Sequence, residues 1–169
     1  MNEYKVVVAD GLRARFFTLE GVRDPEIESG PRLVEQEALL NPAKAFSESE
    51  RTGNSTSGRT RSPSGGFYAF DDHRSKHGQQ ALRRFAQQVV NKAIHQSHPQ
   101  GPYLCVVFAA EKKLLGAMRA EWSAIKTNGL EIRECDRDIV GETPVKIQEL
   151  LARRELLPAL QKPTRSGRR

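Results

Sequence analysis

Long apolar runs are missing from this chain of 169 residues, and with them any segment near the roughly 20 residues that a helix needs to cross a bilayer. The N-terminus also lacks the apolar stretch and small-residue cleavage site of a secretory signal, so a cytoplasmic protein with no membrane partner is expected. Cysteine is scarce. Cys105 and Cys135 fall in apolar, strand-like segments without CxxC or Cys/His spacing, which predicts buried reduced thiols and no metal site. No glycine-rich phosphate loop follows a strand, so neither nucleotide nor other cofactor is predicted. One further absence points toward something: from Arg74 to Ala110 there is no acidic side chain, although charges are well mixed elsewhere. A surface built from that stretch repels nothing anionic.

The charge that is present agrees with this. The formal net charge is +6 and the sequence pI about 9.6, which favours an acidic partner, although the tail from Lys162 to Arg169 supplies four of the positive charges. A hydrophobic content of 37% in a chain this long supports one core, so a single domain over residues 1–160 is expected, followed by a disordered basic tail over 161–169.

Periodicity predicts the elements. Tyr4 to Ala9 is a β-branched run ended by Asp10-Gly11, a hairpin signal, and Arg13 to Leu19 reads as its antiparallel partner. Arg32 to Leu39 alternates as a third strand with Glu35 and Glu37 on one face, though a short helix also fits. Residues 41–76 change character: the Ser/Gly/Arg-rich segment Gly53–Gly66 cannot bury enough apolar surface to offset its ordering entropy, which predicts a mobile loop insertion, whether lid, binding segment or plain disorder. Within it, Phe67-Tyr68-Ala69-Phe70 reads as an anchor to the core or as a stacking platform for bases. Ser62-Pro63 is a weak candidate for modification or docking.

A helix starting after Gly78 is the clearest element, with Leu82, Phe85, Ala86, Val89, Val90, Ala93 and Ile94 on one apolar stripe. The continuous apolar run Tyr103 to Ala110 suits a strand buried on both faces. A second helix is expected over Lys112 to Thr127, with Leu114, Leu115, Met118, Trp122 and Ile125 inward and Asn128-Gly129 as its left-handed cap. Leu130 to Cys135 reads as a fifth strand, and Thr143-Pro144 opens a last helix to about Leu157. The fold class is α/β, a mixed β-sheet with flanking helices in the ribonuclease-H-like order β-β-β-α-β-α-β-α.

Four pieces, in this order and spacing, carry a resemblance: Val8-Ala9-Asp10-Gly11 with Arg13-Ala14-Arg15-Phe16-Phe17; Arg84-Phe85-Ala86; Leu114-Leu115-Gly116-Ala117-Met118-Arg119; and Glu134-Cys135-Asp136-Arg137-Asp138. Over nearly its full length the chain resembles the bacterial host attachment protein family, which is related to the catalytic middle domain of archaeal and eukaryotic class I peptide-chain release factors. In those factors a Gly-Gly-Gln loop tip precedes an Ala-Leu-Arg-Phe-Ala helix start. Here His77-Gly78-Gln79 precedes Gln80-Ala81-Leu82-Arg83-Arg84-Phe85-Ala86, with His77 in place of the first glycine and one extra residue before the phenylalanine.

The resemblance implies a ribosome- or tRNA-directed protein that hydrolyses the peptidyl-tRNA ester on stalled ribosomes. With no counterpart here of the stop-codon-reading domain, this rescue would proceed without codon recognition. Gln79 would position water and stabilise the oxyanion, with Gly78 and His77 completing the catalytic tip, while Lys76, Arg83, Arg84 and Lys92 would bind RNA phosphates. An alternative is a non-catalytic RNA- or protein-binding module that affects host attachment indirectly. The fold itself suggests a third reading, a two-metal nuclease using Asp10 and Asp136 or Asp138, but the first core helix offers no acidic residue to complete the set.

Overall fold

The computed structural model describes residues 4–43, 70–95, 101–125 and 129–163. Strand β1 (Tyr4–Ala9) pairs antiparallel with β2 (Arg13–Glu20), and β2 with β3 (Arg32–Leu40). On its other side β1 pairs in parallel with β4 (Cys105–Ala110), which pairs in parallel with β5 (Glu131–Asp136). The sheet order is β3-β2-β1-β4-β5, and the expected ribonuclease-H-like architecture is present. The Asp10-Gly11 hairpin forms as its sequence predicts: the Asp10 Oδ1 accepts the N–H groups of Leu12 at 2.7 Å and Arg13 at 2.8 Å, closing the turn from within.

Two apolar layers flank the sheet. On one face α1 (Phe70–His95) and α2 (Lys112–Ser123) cover Val7, Phe16, Val106 and Phe108, and Trp122 stacks on Phe108 at 4.7 Å between ring centroids. The predicted stripe of α1 is the buried one, with Leu82 and Ile94 at its partly buried margins. On the opposite face α3 (Pro144–Ala152) packs Ile147 and Leu151 onto Val6, Val8, Phe17 and Val107. All six residues of β4 are buried, as its unbroken apolar run requires for a strand covered on both sides.

Several boundaries differ from the sequence reading. The helix α1 does not begin after Gly78; it runs back to Phe70, so the end of the predicted insertion is helical. Residues 44–69, which hold the rest of that insertion together with Ser62-Pro63 and Phe67 to Ala69, lie outside the described residues. The helix α2 ends at Ser123 with Ala124 as its cap, so Gly129, although its φ is +89°, opens the approach to β5 and does not cap the helix. The helix α3 starts as expected, Thr143 Oγ1 accepting the Lys146 N–H at 3.3 Å, but stops at Ala152. It closes in a Schellman turn, Leu156 N–H to Leu151 C=O at 3.0 Å and Glu155 N–H to Ala152 C=O at 2.9 Å, with Glu155 at φ +59° where glycine is the usual signal.

Glu35 and Glu37 do not share a face. The β2–β3 register shifts between Phe16, opposite Glu37, and Phe17, opposite Glu35, a bulge that turns the two carboxylates to opposite sides of the sheet. Glu35 takes a bidentate bond from Arg15 at 2.8 and 2.7 Å, and Glu37 pairs with Lys92 on α1 at 2.8 Å. Finally, Gln161 exchanges backbone hydrogen bonds with Gly30, 3.0 Å each way, so the first residue of the predicted disordered tail is tied to the fold; residues 164–169 lie outside the described set.

Candidate functional site

The C-terminal ends of β1 and β4 lie side by side, Ala9 opposite Ala110, so the residues that follow each strand emerge at one edge of the sheet. Gly11 from the hairpin, Asn41 after β3, and Glu111 and Lys113 at the start of α2 meet there a segment of α1 consisting of His77 to Leu82 and Arg84. They enclose a cleft of about 800 Å³. Such a crevice beyond the carboxyl ends of parallel strands is where open α/β sheets place their ligands.

The structure thus brings His77, Gly78 and Gln79 to the cleft, but as part of a helix rather than as a loop tip. That difference has a chemical consequence. Nine residues into α1, the Gln79 N–H is committed to the carbonyl one turn back, so it cannot serve as an oxyanion donor. The side chain of Gln79 remains exposed, as do His77 and Gln80.

The predicted RNA-binding residues separate into two groups. Lys76, Arg83 and Arg84 are exposed on α1, with Arg84 turned to the cleft and Lys76 and Arg83 one face around. Lys92 is elsewhere: half-buried, its ammonium lies 2.8 Å from Glu37 and over the Phe16 ring at 5.8 Å, where it neutralises a carboxylate of β3. Neither Arg83 nor Arg84 has an ion-pair or hydrogen-bond partner among the described residues, and the same holds for the side chains of Glu111 and Lys113. Asn41, by contrast, is buried and used, donating to the Gly11 carbonyl at 2.9 Å and accepting from the Ala43 N–H at 3.2 Å; it fixes the cleft wall.

The carboxylates of the nuclease reading are spent on structure. Asp10 closes the hairpin, Asp136 pairs with Lys112 at 3.6 Å, and Asp138 accepts the Val140 N–H at 3.3 Å. Among the described residues no group of three or more His, Cys, Asp or Glu side chains is placed to hold a metal ion. Both cysteines are free and buried, and burial pushes the Cys105 thiol up to about 11. No helix among the described residues is long and apolar enough to cross a membrane.

A family model described as "Protein required for attachment to host cells" matches residues 5–151, which takes in the sheet and the three helices but for the first residue of β1 and the last of α3. The chain belongs to that host-attachment family. No curated protein matches the sequence. Within this host-attachment fold, sequence reasoning missed Glu111 and Lys113 as cleft residues. A signal for them exists: once β1 and β4 are expected to be parallel neighbours, whatever follows Ala110 must sit beside whatever follows Ala9. Two of the family-like motifs are joined directly, since Arg119 of α2 makes a bidentate pair with Glu134 of β5 and holds that carboxyl below its usual range.

Proposed function

We propose that this host-attachment protein is a non-catalytic RNA-binding module, and that any effect on attachment is indirect. The observation that carries this reading is the exposed face of α1: over residues 76–95 it presents Lys76, Arg83 and Arg84 among Gln79, Gln80, Gln87 and Asn91 with no carboxylate in the segment. Unpaired guanidinium groups amid neutral amides suit phosphate contacts combined with adaptable hydrogen bonds to single-stranded RNA or ribosomal RNA. A release-factor-like ester hydrolysis on stalled ribosomes is the second reading, supported by the exposed Gln79 amide at the cleft. Its weakness is the helical Gln79 N–H, which leaves only the side chain to stabilise a developing charge.

Binding of a single-stranded oligoribonucleotide and of ribosomes, measured against salt, tests the first reading. Each phosphate contact to a single strand contributes about 0.7 to the slope of log K against log salt, so the double variant Arg83→Ala/Arg84→Ala should lower the slope by about 1.4. A slope near zero in the wild type would remove the RNA-binding reading. In a parallel assay on ribosomes carrying peptidyl-tRNA and an empty A site, peptide release should be absent. Release that disappears in Gln79→Ala would establish the hydrolase instead.

A further inference from the structure

The cleft holds a combination of groups that phosphate binding alone does not explain. Arg84 and Lys113, both cationic, share it with the carboxylate of Glu111, and none of the three has a partner among the described residues. A site for bare phosphate gains nothing from a free carboxylate, which repels the ligand. A site for an RNA unit does, because a ribose within a strand offers its 2′-hydroxyl as a donor between two phosphates, and a carboxylate is an acceptor such a hydroxyl takes. The other polar walls are the His77 imidazole, the Asn41 amide already engaged with the backbone, and the amides of Gln79 and Gln80, able to meet a base edge; the Ala81 and Leu82 side chains line the cleft with apolar surface. Its volume of about 800 Å³ lies within the usual range of small-molecule sites, about 300–1,000 Å³.

We propose that this cleft takes one ribonucleotide unit of a single-stranded RNA, with Glu111 accepting from the ribose 2′-hydroxyl and Arg84 and Lys113 contacting the phosphates on either side. The inference rests on the RNA-binding reading above and adds to it discrimination between RNA and DNA. The basic face of α1 supplies affinity without regard to the sugar; Glu111 supplies the choice. Because Glu111 also repels the phosphate backbone, it lowers overall affinity while raising selectivity, and the two effects separate on substitution.

The test is fluorescence anisotropy with the full chain, a labelled oligoribonucleotide and its deoxyuridine-containing 2′-deoxy counterpart of the same base sequence. Losing the one hydrogen bond from the 2′-hydroxyl to a charged acceptor should make the wild type favour RNA by about tenfold. Glu111→Ala should bring that ratio close to one while DNA binding stays the same or tightens, and Arg84→Ala should weaken both ligands with the ratio retained. Glu111 is exposed and its side chain makes no helix cap, so unchanged thermal melting is expected in the variant. Equal, salt-sensitive binding of RNA and DNA by the wild type, or a ratio unmoved by Glu111→Ala, would overturn the ribose assignment and leave the RNA-binding module standing. No binding of either strand would overturn both.

Discussion

Lys5 shows how far a side chain's setting can depart from what its own segment implies. It is the second residue of β1, just ahead of the apolar run Val6–Ala9, and 3% exposed, with its ammonium over the rings of Tyr103 at 5.1 Å and Phe16 at 5.7 Å and 3.4 Å from the Lys92 carbonyl. Burial lowers its pKa to about 8, with Glu37 opposing the shift and Lys92 adding to it. A lysine that titrates near 8 when folded and near about 10.4 when unfolded binds fewer protons in the native state across that window. The cost of burying the charge is therefore present in full below pH 8 and falls as pH rises through it, so stability should increase with pH. Between pH 8 and 9 the wild type should gain roughly 1 kcal/mol relative to Lys5→Met, in which Glu37 keeps Lys92 as its partner. Urea unfolding of both proteins at pH 7, 8 and 9 measures it; parallel profiles would mean that Lys5 is solvated. The buried Cys105 and Cys135 thiols, both raised by burial, act with the opposite sign as pH rises past the ordinary thiol range, but they do so equally in both proteins and cancel from the comparison. The burial of both cysteines was legible in the apolar runs around them. The partnership of Lys5, Glu37 and Lys92 was not, since it joins two strands and a helix, and a bulge that periodicity cannot show decides which face Glu37 takes.

At the scale of the element, α1 decides what the His77-Gly78-Gln79 stretch can do. Gly78 looks like a boundary in sequence because glycine ends helices more often than it continues them. Here it is interior, exposed, and has nothing within 4 Å of where a Cβ would stand. Gly78→Ala should therefore stabilise the protein by about 0.8–1 kcal/mol, a rise in melting temperature of about 2–4 °C, with salt-sensitive RNA binding retained. Gln79→Ala should leave the melting temperature nearly unchanged. Had the stretch been a tip that needs glycine's conformational freedom, the alanine at 78 would destabilise it instead, so the sign of the change separates the two geometries. A sequence signal for the longer helix was present in Asp71 and Asp72, acidic residues that fall within the first turn of a helix starting at Phe70. The early stop of α3 had no such signal, because Glu155 occupies the left-handed position that a glycine would have announced.

For the whole molecule, the element order, the antiparallel hairpin and the mixed sheet with flanking helices followed from hairpin chemistry, apolar runs and the right-handed crossover rule, and these are properties that short windows of sequence carry. What joins the layers is carried by single polar side chains, and they are invisible to periodicity. Gln148 on α3 is one: 2% exposed, it accepts the Leu33 N–H at 3.1 Å and donates to the carbonyls of Pro31 at 2.9 Å and Pro158 at 3.2 Å. It thus fastens β3 and the segment after α3 to the helix on the face opposite α1. Gln148→Ala would strand one backbone donor and two acceptors in a buried place, a loss of about 2–4 kcal/mol. Arg15 works alongside it, donating to the carbonyls of Val140 at 2.7 Å and Glu142 at 2.8 Å while gripping Glu35. These fastenings lie on the face covered by α3, whereas the proposed RNA surface lies on α1 and at the sheet's edge. Gln148→Ala should accordingly lower the melting temperature by several degrees while the folded variant, assayed at low temperature, binds RNA with wild-type affinity and salt slope. If affinity fell together with stability, binding would depend on the packing of the α3 face, and α1 could not be the contact surface by itself.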